Sequence, residues 1–166
     1  MITVDIHNEF DVQLNKSSIQ GLLENILLDN KHNTGSINII MTDDDTLRRM
    51  KKEYFNQDLY TDVIAFNIDD DPFEGEIYIS HDRIKDNAKK FNQSFEDELK
   101  RILIHGSLHL CGYDDQTPQD KSEMTSLEEN YLEKFKEPIL SLSLIHISEP
   151  TRQAEISYSV FCLKKK

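Results

Sequence analysis

The stretch RILIHGSLHLCGYDD, from Arg101 to Asp115, decides the predicted fold and site. We expect it to be helical, and it places His105 and His109 four residues apart. Because one helical turn takes about 3.6 residues, both imidazoles fall on the same face of the helix. Two neutral imidazoles on one face provide half of a transition-metal site.

The residues after His109 indicate a third ligand. Gly112 is expected to end the helix, because glycine adopts the left-handed conformation without steric cost. The chain then returns Asp114 and Asp115 towards the face that carries the histidines. Three protein ligands with one open position are typical of a catalytic metal site. The spacing alone leaves open a second interpretation, two histidines with ordinary hydrogen bonds on a helix.

The run HGSLHLCGYDD, from His105 to Asp115, resembles the HGxLHLxGYDH signature of the YbeY family of rRNA maturation factors. The family usually has a third histidine where this chain has Asp115. A carboxylate is an acceptable zinc ligand at about 2.0–2.2 Å. The resemblance therefore implies one Zn²⁺ per chain, held by His105, His109 and Asp115. The added negative charge is expected to make the metal less electrophilic.

The residue after the first histidine argues against one alternative. A zinc peptidase of the HExxH type has a glutamate there as general base. This chain has Gly106 at that position. We therefore do not expect peptide hydrolysis by that mechanism.

Composition restricts the class of protein. The 166 residues suffice for one domain, and the formal net charge of −12 argues against non-specific nucleic-acid binding. The sequence shows no secretion signal and no apolar run of the roughly 20 residues that cross a bilayer, so we expect a cytoplasmic protein without a membrane partner. Cys111 and Cys162 cannot form a disulfide framework. We expect Cys111 to be a small buried apolar residue, with a ligand role as the alternative.

Hydrophobic periodicity predicts the element order β-α-β-α-β-β-α-α-α, which is typical of an α+β domain. The strands are expected at residues 1–10, 36–41, 61–66 and 75–79. Ser17 or Ser18 is expected to cap the first helix, and residues 94–97 resemble a capping box at the start of the fourth. The other helices are expected to begin after Thr42, at His81 and at Pro118. The family resemblance implies a single domain with a small four-stranded mixed sheet, about five helices and the metal site on a central helix.

Packing expectations follow from the same periodicity. The second helix is expected to bury Leu47, Met50 and Tyr54, and the third to bury Ile84, Ala88 and Phe91. His81 is expected to be exposed or to cap a helix. Residues 61–66, TDVIAF, resemble the family's TDVLSF segment, and residues 75–77, GEI, resemble its GDI segment. This resemblance implies that strand 75–79 lies at the sheet edge along the active-site cleft.

The resemblance implies a single-strand-specific, metal-dependent endoribonuclease that acts in 3′-end maturation of small-subunit rRNA and in ribosome quality control. Its partners would be rRNA and the small ribosomal subunit. Family members commonly have an arginine, thought to contact RNA, where this chain has Phe55. An aromatic ring can instead stack on a base, so the expected substrate-binding residues are Arg48, Arg49, Lys52 and Phe55. The alternative is that these basic residues lie on a solvated helix face.

A rival hypothesis follows from the acidic charge. The protein would be a non-catalytic ribosome-assembly factor with a structural metal. Its acidic surface suits basic ribosomal proteins better than naked RNA, and an assembly GTPase is a further possible partner.

The C-terminal tail does not resemble natural protein sequence. Residues 142–152 read LSLIHISEPTR and residues 156–166 read ISYSVFCLKKK. Both strings resemble the translation of a sequencing-library adapter. We therefore expect a native domain over residues 1–141 and a non-native tail over residues 142–166, which is excluded from the fold prediction.

Overall fold

The computed structural model describes residues 1–140. Within them a four-stranded sheet is accompanied by five helices, which confirms the α+β prediction. The strands are β1 (Ile2–His7), β2 (Gly35–Thr42), β3 (Val63–Asp70) and β4 (Phe73–Ser80). The helices are α1 (Lys16–Asp29), α2 (Asp44–Phe55), α3 (His81–Lys90), α4 (Phe95–Leu110) and α5 (Pro118–Lys134). The predicted tail, residues 142–166, lies outside the described residues.

The sheet is mixed and has the strand order β1-β2-β4-β3. β1, β2 and β4 are parallel, and β3 joins β4 as an antiparallel hairpin. The expectation that residues 75–79 form an edge strand is wrong, because β4 lies between β2 and β3. The burial pattern gives the reason. β4 buries Phe73, Ile77 and Ile79, whereas residues 67–70 of β3 are exposed.

The two faces of the sheet are covered differently. Successive side chains of a strand point to opposite faces. One face carries fully buried residues of β1, β2 and β4 and packs against α1 and α4 to form the core. On the other face, Phe66 contacts Tyr54 and Phe55 at the end of α2, and Tyr78 contacts Phe66. The core therefore lies between the sheet and the helix layer that contains α1 and α4.

α4 is the central helix, as predicted, since it contacts α1, α3, α5, β3 and β4. Gly106 permits its close approach to the sheet, because a Cβ atom there would lie 3.1 Å from Ile77 Cγ2. The helix that carries His105 and His109 is thus held by packing on several sides, which a site of fixed geometry requires.

The helix starts confirm most of the capping predictions. The Ser94 side chain accepts a hydrogen bond from the Asp97 amide at the start of α4. Pro118 is the first residue of α5. The cap predicted at Ser17 or Ser18 is wrong. α1 begins earlier because the Asn15 side chain accepts from the Ser18 amide, while the Asn15 amide is held by the Ile139 carbonyl.

Two packing expectations are also wrong. Tyr54 is 60% exposed because its ring meets only the edge of the sheet, at Phe66 of β3, with ring centroids 5.3 Å apart. Phe91 is 52% exposed because α3 ends at Lys90 and its helical face does not continue. His81 is neither exposed nor a cap: it is half-buried, and Ser80 caps α3.

None of the helices in residues 1–140 combines the length and apolarity that crossing a bilayer requires.

Candidate metal centre

The end of α4 has the geometry predicted from Gly112. This residue has φ +102°, in the left-handed region, directly after the cap residue Cys111. The Gly112 amide donates to the His109 carbonyl, and the Tyr113 amide donates to the Leu108 carbonyl. This pair of hydrogen bonds is the Schellman arrangement, which reverses the chain after a helix. The reversal brings Asp115 back beside the two histidines.

Three side chains meet at this point, as the sequence predicts. His109 Nε2 lies 3.0 Å from His105 Nε2. Asp115 Oδ2 lies 3.3 Å from His105 Nε2 and 3.6 Å from His109 Nε2. Among residues 1–140 these three form the group that can hold a metal ion. Asp114 is exposed and instead accepts a hydrogen bond from the Asp115 amide.

The donor set fits a small transition-metal ion. Ligand atoms about 2.1 Å from a tetrahedral ion lie about 3.4 Å from one another. The three measured separations, 3.0, 3.3 and 3.6 Å, lie around that value. Two imidazole nitrogens and one carboxylate oxygen are typical zinc donors. The group therefore needs little rearrangement to bind a metal.

The site is open to solvent on one side. The side chains of His105, His109 and Asp115 are 18, 28 and 37% exposed, so exposure increases from the helix towards the loop. Three protein ligands with an accessible fourth position characterise catalytic rather than structural zinc sites.

Glu128 of α5 is a part of the site that our sequence analysis missed. Its Oε2 lies 2.5 Å from His105 Nδ1, the ring nitrogen that faces away from the other two ligands. Glu128 is only 5% exposed. A signal was present in the sequence, since Glu128 lies between Met124 and Tyr131 on the buried stripe of α5. A carboxylate on a buried stripe requires a partner.

The charge state of His105 follows from these contacts. Burial lowers the pKa of His105, but the hydrogen bond to Glu128 and the charges of Glu128 and Asp115 outweigh burial, so that its pKa is raised. In the metal-free site the protonated form of His105 is therefore stabilised relative to that of an ordinary histidine. A metal ion must displace that proton, because only neutral imidazole is a ligand.

Cys111 packs against the core at the C-cap of α4. It is half-buried, somewhat more accessible than we expected. Burial raises the pKa of its thiol to about 12, which disfavours the thiolate that a metal would need. The group of possible ligands within residues 1–140 does not include it.

The residues predicted to bind substrate lie on α2. Arg48 Nε is paired with Asp58 at 2.8 Å, and its guanidinium lies over the Tyr60 ring. Arg49 donates to Thr46 Oγ1 at 3.3 Å. Lys52 is exposed. Arg48 is therefore ion-paired within the protein, whereas Arg49 is hydrogen-bonded to a neutral hydroxyl group.

Phe55 belongs to an aromatic cluster, which we define as Tyr54, Phe55, Phe66 and Tyr78. The Phe55 and Phe66 rings are stacked, with centroids 6.1 Å apart. Lys51 Nζ lies 4.7 Å from the Phe55 centroid. Phe66 is adjacent in β3 to Asn67, whose side-chain amide donates to the Leu110 carbonyl of α4. The aromatic cluster and the metal helix therefore flank the same strand on opposite faces of the sheet.

Comparisons with known proteins agree with this architecture. The family model described as Endoribonuclease YbeY matches residues 3–136. The Endoribonuclease YbeY of Flavobacterium johnsoniae is 39% identical over 136 residues, which cover 81% of this chain and 97% of that protein. The Flavobacterium psychrophilum protein of the same name is 40% identical over 136 residues, covering 81% and 96%. A solution structure of a Thermotoga maritima protein is similar with a TM-score of 0.56 and 29% identity, covering 81% and 89%.

Proposed function

The chain belongs to the YbeY endoribonuclease family, and from that membership we propose that it is a single-strand-specific, metal-dependent endoribonuclease. We further propose that it acts in the cytoplasm, in 3′-end maturation of small-subunit rRNA and in ribosome quality control. The proposal rests mainly on one observation: His105, His109 and Asp115 form a group of possible metal ligands that is accessible to solvent.

The three side chains have the chemistry that phosphodiester hydrolysis needs. A Zn²⁺ ion held by them would polarise a phosphoryl oxygen and acidify a water molecule. The partial exposure of the three ligands leaves room for a phosphate group. The chain has Gly106 where a peptidase has its general base, so a carboxylate base is missing from that position. Because general bases contribute typically about 10²–10⁴-fold, we expect a slow enzyme.

The aromatic cluster provides a surface on which single-stranded RNA can bind. Phe55 and Tyr54 are exposed, and Lys51 and Lys52 lie on the same helix. Bases stack on aromatic rings in a sequence-tolerant way, while nearby cations contact the phosphates. We propose that the RNA backbone crosses edge strand β3 between this cluster and the metal centre. Arg49, Lys52 and Phe55 would then contact RNA, and Arg48 would hold the loop through Asp58.

The proposal is tested first by metal content and then by cleavage. We expect about one zinc per full-length wild-type chain in elemental analysis. Asp115→Ala should lose most of this zinc, because it removes one of three ligands, whereas Asp114→Ala should retain it. Wild-type protein should then cleave a single-stranded RNA oligonucleotide but not the corresponding duplex. This cleavage should stop when a chelator removes the metal.

His109→Ala is the variant for the cleavage assay, with His7→Ala, an exposed histidine of β1, as the matched control. The two proteins are purified in the same way so that contaminating ribonucleases are equal. Cleavage by His109→Ala at the wild-type rate would contradict the proposed function. Activity should return to chelated wild type on addition of zinc.

The acidic charge supports a second candidate function, a non-catalytic assembly factor with a structural metal. The net charge of −12 favours basic ribosomal proteins as partners, and an assembly GTPase is a further candidate. The two functions differ in their metal dependence. A binding factor should retain its affinity for small ribosomal subunits in a folded His109→Ala variant, whereas the ribonuclease should lose its activity.

A further inference from the structure

We propose that Glu128 is a positioning residue of the metal centre. It holds His105 in the tautomer and orientation that present Nε2 to the metal, and it is itself held by Arg101, which Glu98 anchors. This inference rests on the metal-binding part of the proposed function. It adds a residue from a different helix that neither the sequence patterns nor the group of three ligands contains.

The distances assign different tasks to the two ring nitrogens of His105. Nε2 faces His109 and Asp115 at 3.0 and 3.3 Å, so it is the ligand atom. Nδ1 faces Glu128 Oε2 at 2.5 Å. A carboxylate can only accept a hydrogen bond, so in the neutral ring that binds a metal the proton lies on Nδ1 and the lone pair on Nε2. Metal-ligating histidines commonly have such an outer carboxylate partner.

Glu128 is held from its other side. Arg101 Nη1 lies 3.5 Å from Glu128 Oε1. The same guanidinium donates to both oxygens of Glu98, through Nη2 at 2.5 Å and Nε at 3.2 Å. Glu98 is 1% exposed, and Asn87 of α3 also contacts it. The carboxylate of Glu128 is therefore fixed by groups from α4, which limits how far the His105 ring can turn.

The charges of this network are not balanced within it. Glu98 and Glu128 are two buried carboxylates, and Arg101 supplies one positive charge between them. A buried charge without compensation is costly. The remaining negative charge is on the side of Glu128 that contacts His105. A positive charge at His105, either a proton on its ring or a bound metal ion, would compensate it.

A purely structural role is the alternative. Glu128 could serve only to join α5 to α4 through Arg101. The chain offers a matched comparison, because Tyr131 also anchors α5, through a 2.7 Å hydrogen bond to Asp29 of α1. Tyr131→Phe loosens α5 without touching the metal centre. Glu129→Gln changes an exposed neighbouring carboxylate and controls for net charge.

The test measures zinc affinity of the full-length chain by competition with a chromophoric chelator, without RNA. We expect Glu128→Ala to raise the zinc Kd about 10–100-fold, the range for loss of an outer partner. Glu128→Gln retains an oxygen acceptor and the side-chain volume, so it should fold and show a smaller increase. Tyr131→Phe and Glu129→Gln should bind zinc like wild type.

A second readout follows the tautomer directly. ¹⁵N NMR of metal-free protein at about pH 8.5 should show the His105 proton on Nδ1 in wild type, and this preference should be lost in Glu128→Ala. An unchanged zinc Kd in folded Glu128→Ala and Glu128→Gln would overturn the inference about Glu128 but not the proposed function. An equal loss of affinity in Tyr131→Phe would also overturn it. Zinc binding that depends on Glu128, in a protein that cleaves no RNA, would overturn the proposed function instead.

Discussion

At the scale of single residues, Phe55 differs in chemistry from the arginine that the family commonly has there. A guanidinium would contact a phosphate, whereas a ring offers a surface to a base. Phe55 is exposed, its ring stacks with that of Phe66, and Lys51 Nζ lies over the ring. These contacts hold the Phe55 ring in place and leave the residue 44% exposed. Under the proposed function, an RNA base would stack on this ring after the Lys51 side chain moves aside.

Replacing Phe55 by alanine should weaken binding of single-stranded RNA. Stacking of one base on an aromatic side chain is worth about 1–3 kcal/mol, so we expect Kd to rise by about 5–150-fold. Phe55→Tyr should bind like wild type, because the ring remains. Fluorescence anisotropy with a labelled oligonucleotide measures the effect. Phe91→Ala, which removes another exposed ring, is the control. Equal affinity of wild type and Phe55→Ala would show that Phe55 does not contact RNA.

At the scale of elements, the end of α4 determines whether the three ligands meet. Two ligands lie on the helix and the third lies five residues after its last residue, so the turn between them fixes the geometry. The turn depends on the left-handed conformation of Gly112. A side chain costs roughly 1–2 kcal/mol in that conformation. The conformation of Gly112 at the end of α4 therefore determines whether Asp115 reaches the two histidines.

Gly112→Ala should lower the free energy of unfolding by about 1–2 kcal/mol through backbone strain. Space is not the cause, since an added Cβ would have no atom within 4 Å. Gly21→Ala is the matched control, because Gly21 also has nothing within 4 Å but lies inside α1. It should stabilise the protein by about 0.5–1 kcal/mol. Urea unfolding of both variants measures whether the free energy of unfolding falls in Gly112→Ala and rises in Gly21→Ala. A stabilising Gly112→Ala would contradict the assignment of strain to this residue.

At the scale of the whole molecule, His81 joins segments that are distant in sequence. Its ring stacks on Phe10 with centroids 4.5 Å apart and contacts Phe95 of α4 with centroids 5.4 Å apart. Burial lowers the pKa of His81, with a further lowering from Lys85 and an opposing effect from Asp82. The neutral ring is thus the form that fits the folded protein.

This lowered pKa predicts acid sensitivity. Below the ordinary histidine pKa of about 6.5, the unfolded chain binds a proton that folded His81 resists. The contribution of His81 to stability is therefore complete above that pH and is lost as pH falls through the lowered pKa. His81→Phe should reduce the difference in unfolding free energy between about pH 7.5 and about pH 5.5. Urea midpoints at both pH values measure it, with His7→Phe as the exposed control. An unchanged pH difference in His81→Phe would contradict the prediction.

The local features of the protein were determined by its sequence. The cap at Ser94, the start of α5 at Pro118 and the end of α4 before Gly112 depend on neighbouring residues, and these three are observed. The convergence of His105, His109 and Asp115 was also predictable, because a helical period followed by a glycine turn spans only eleven residues.

Only the tertiary structure decided which distant segments meet. The inner place of β4 depends on parallel pairing with β2, whose register no local pattern encodes. The contact of Glu128 with His105 joins residues 23 positions apart on two helices, and helical periodicity marks Glu128 only as buried. The exposure of Tyr54 depends on how far α2 extends over the sheet. Periodicity assigns a residue to a face of its own element, while packing decides what that face meets.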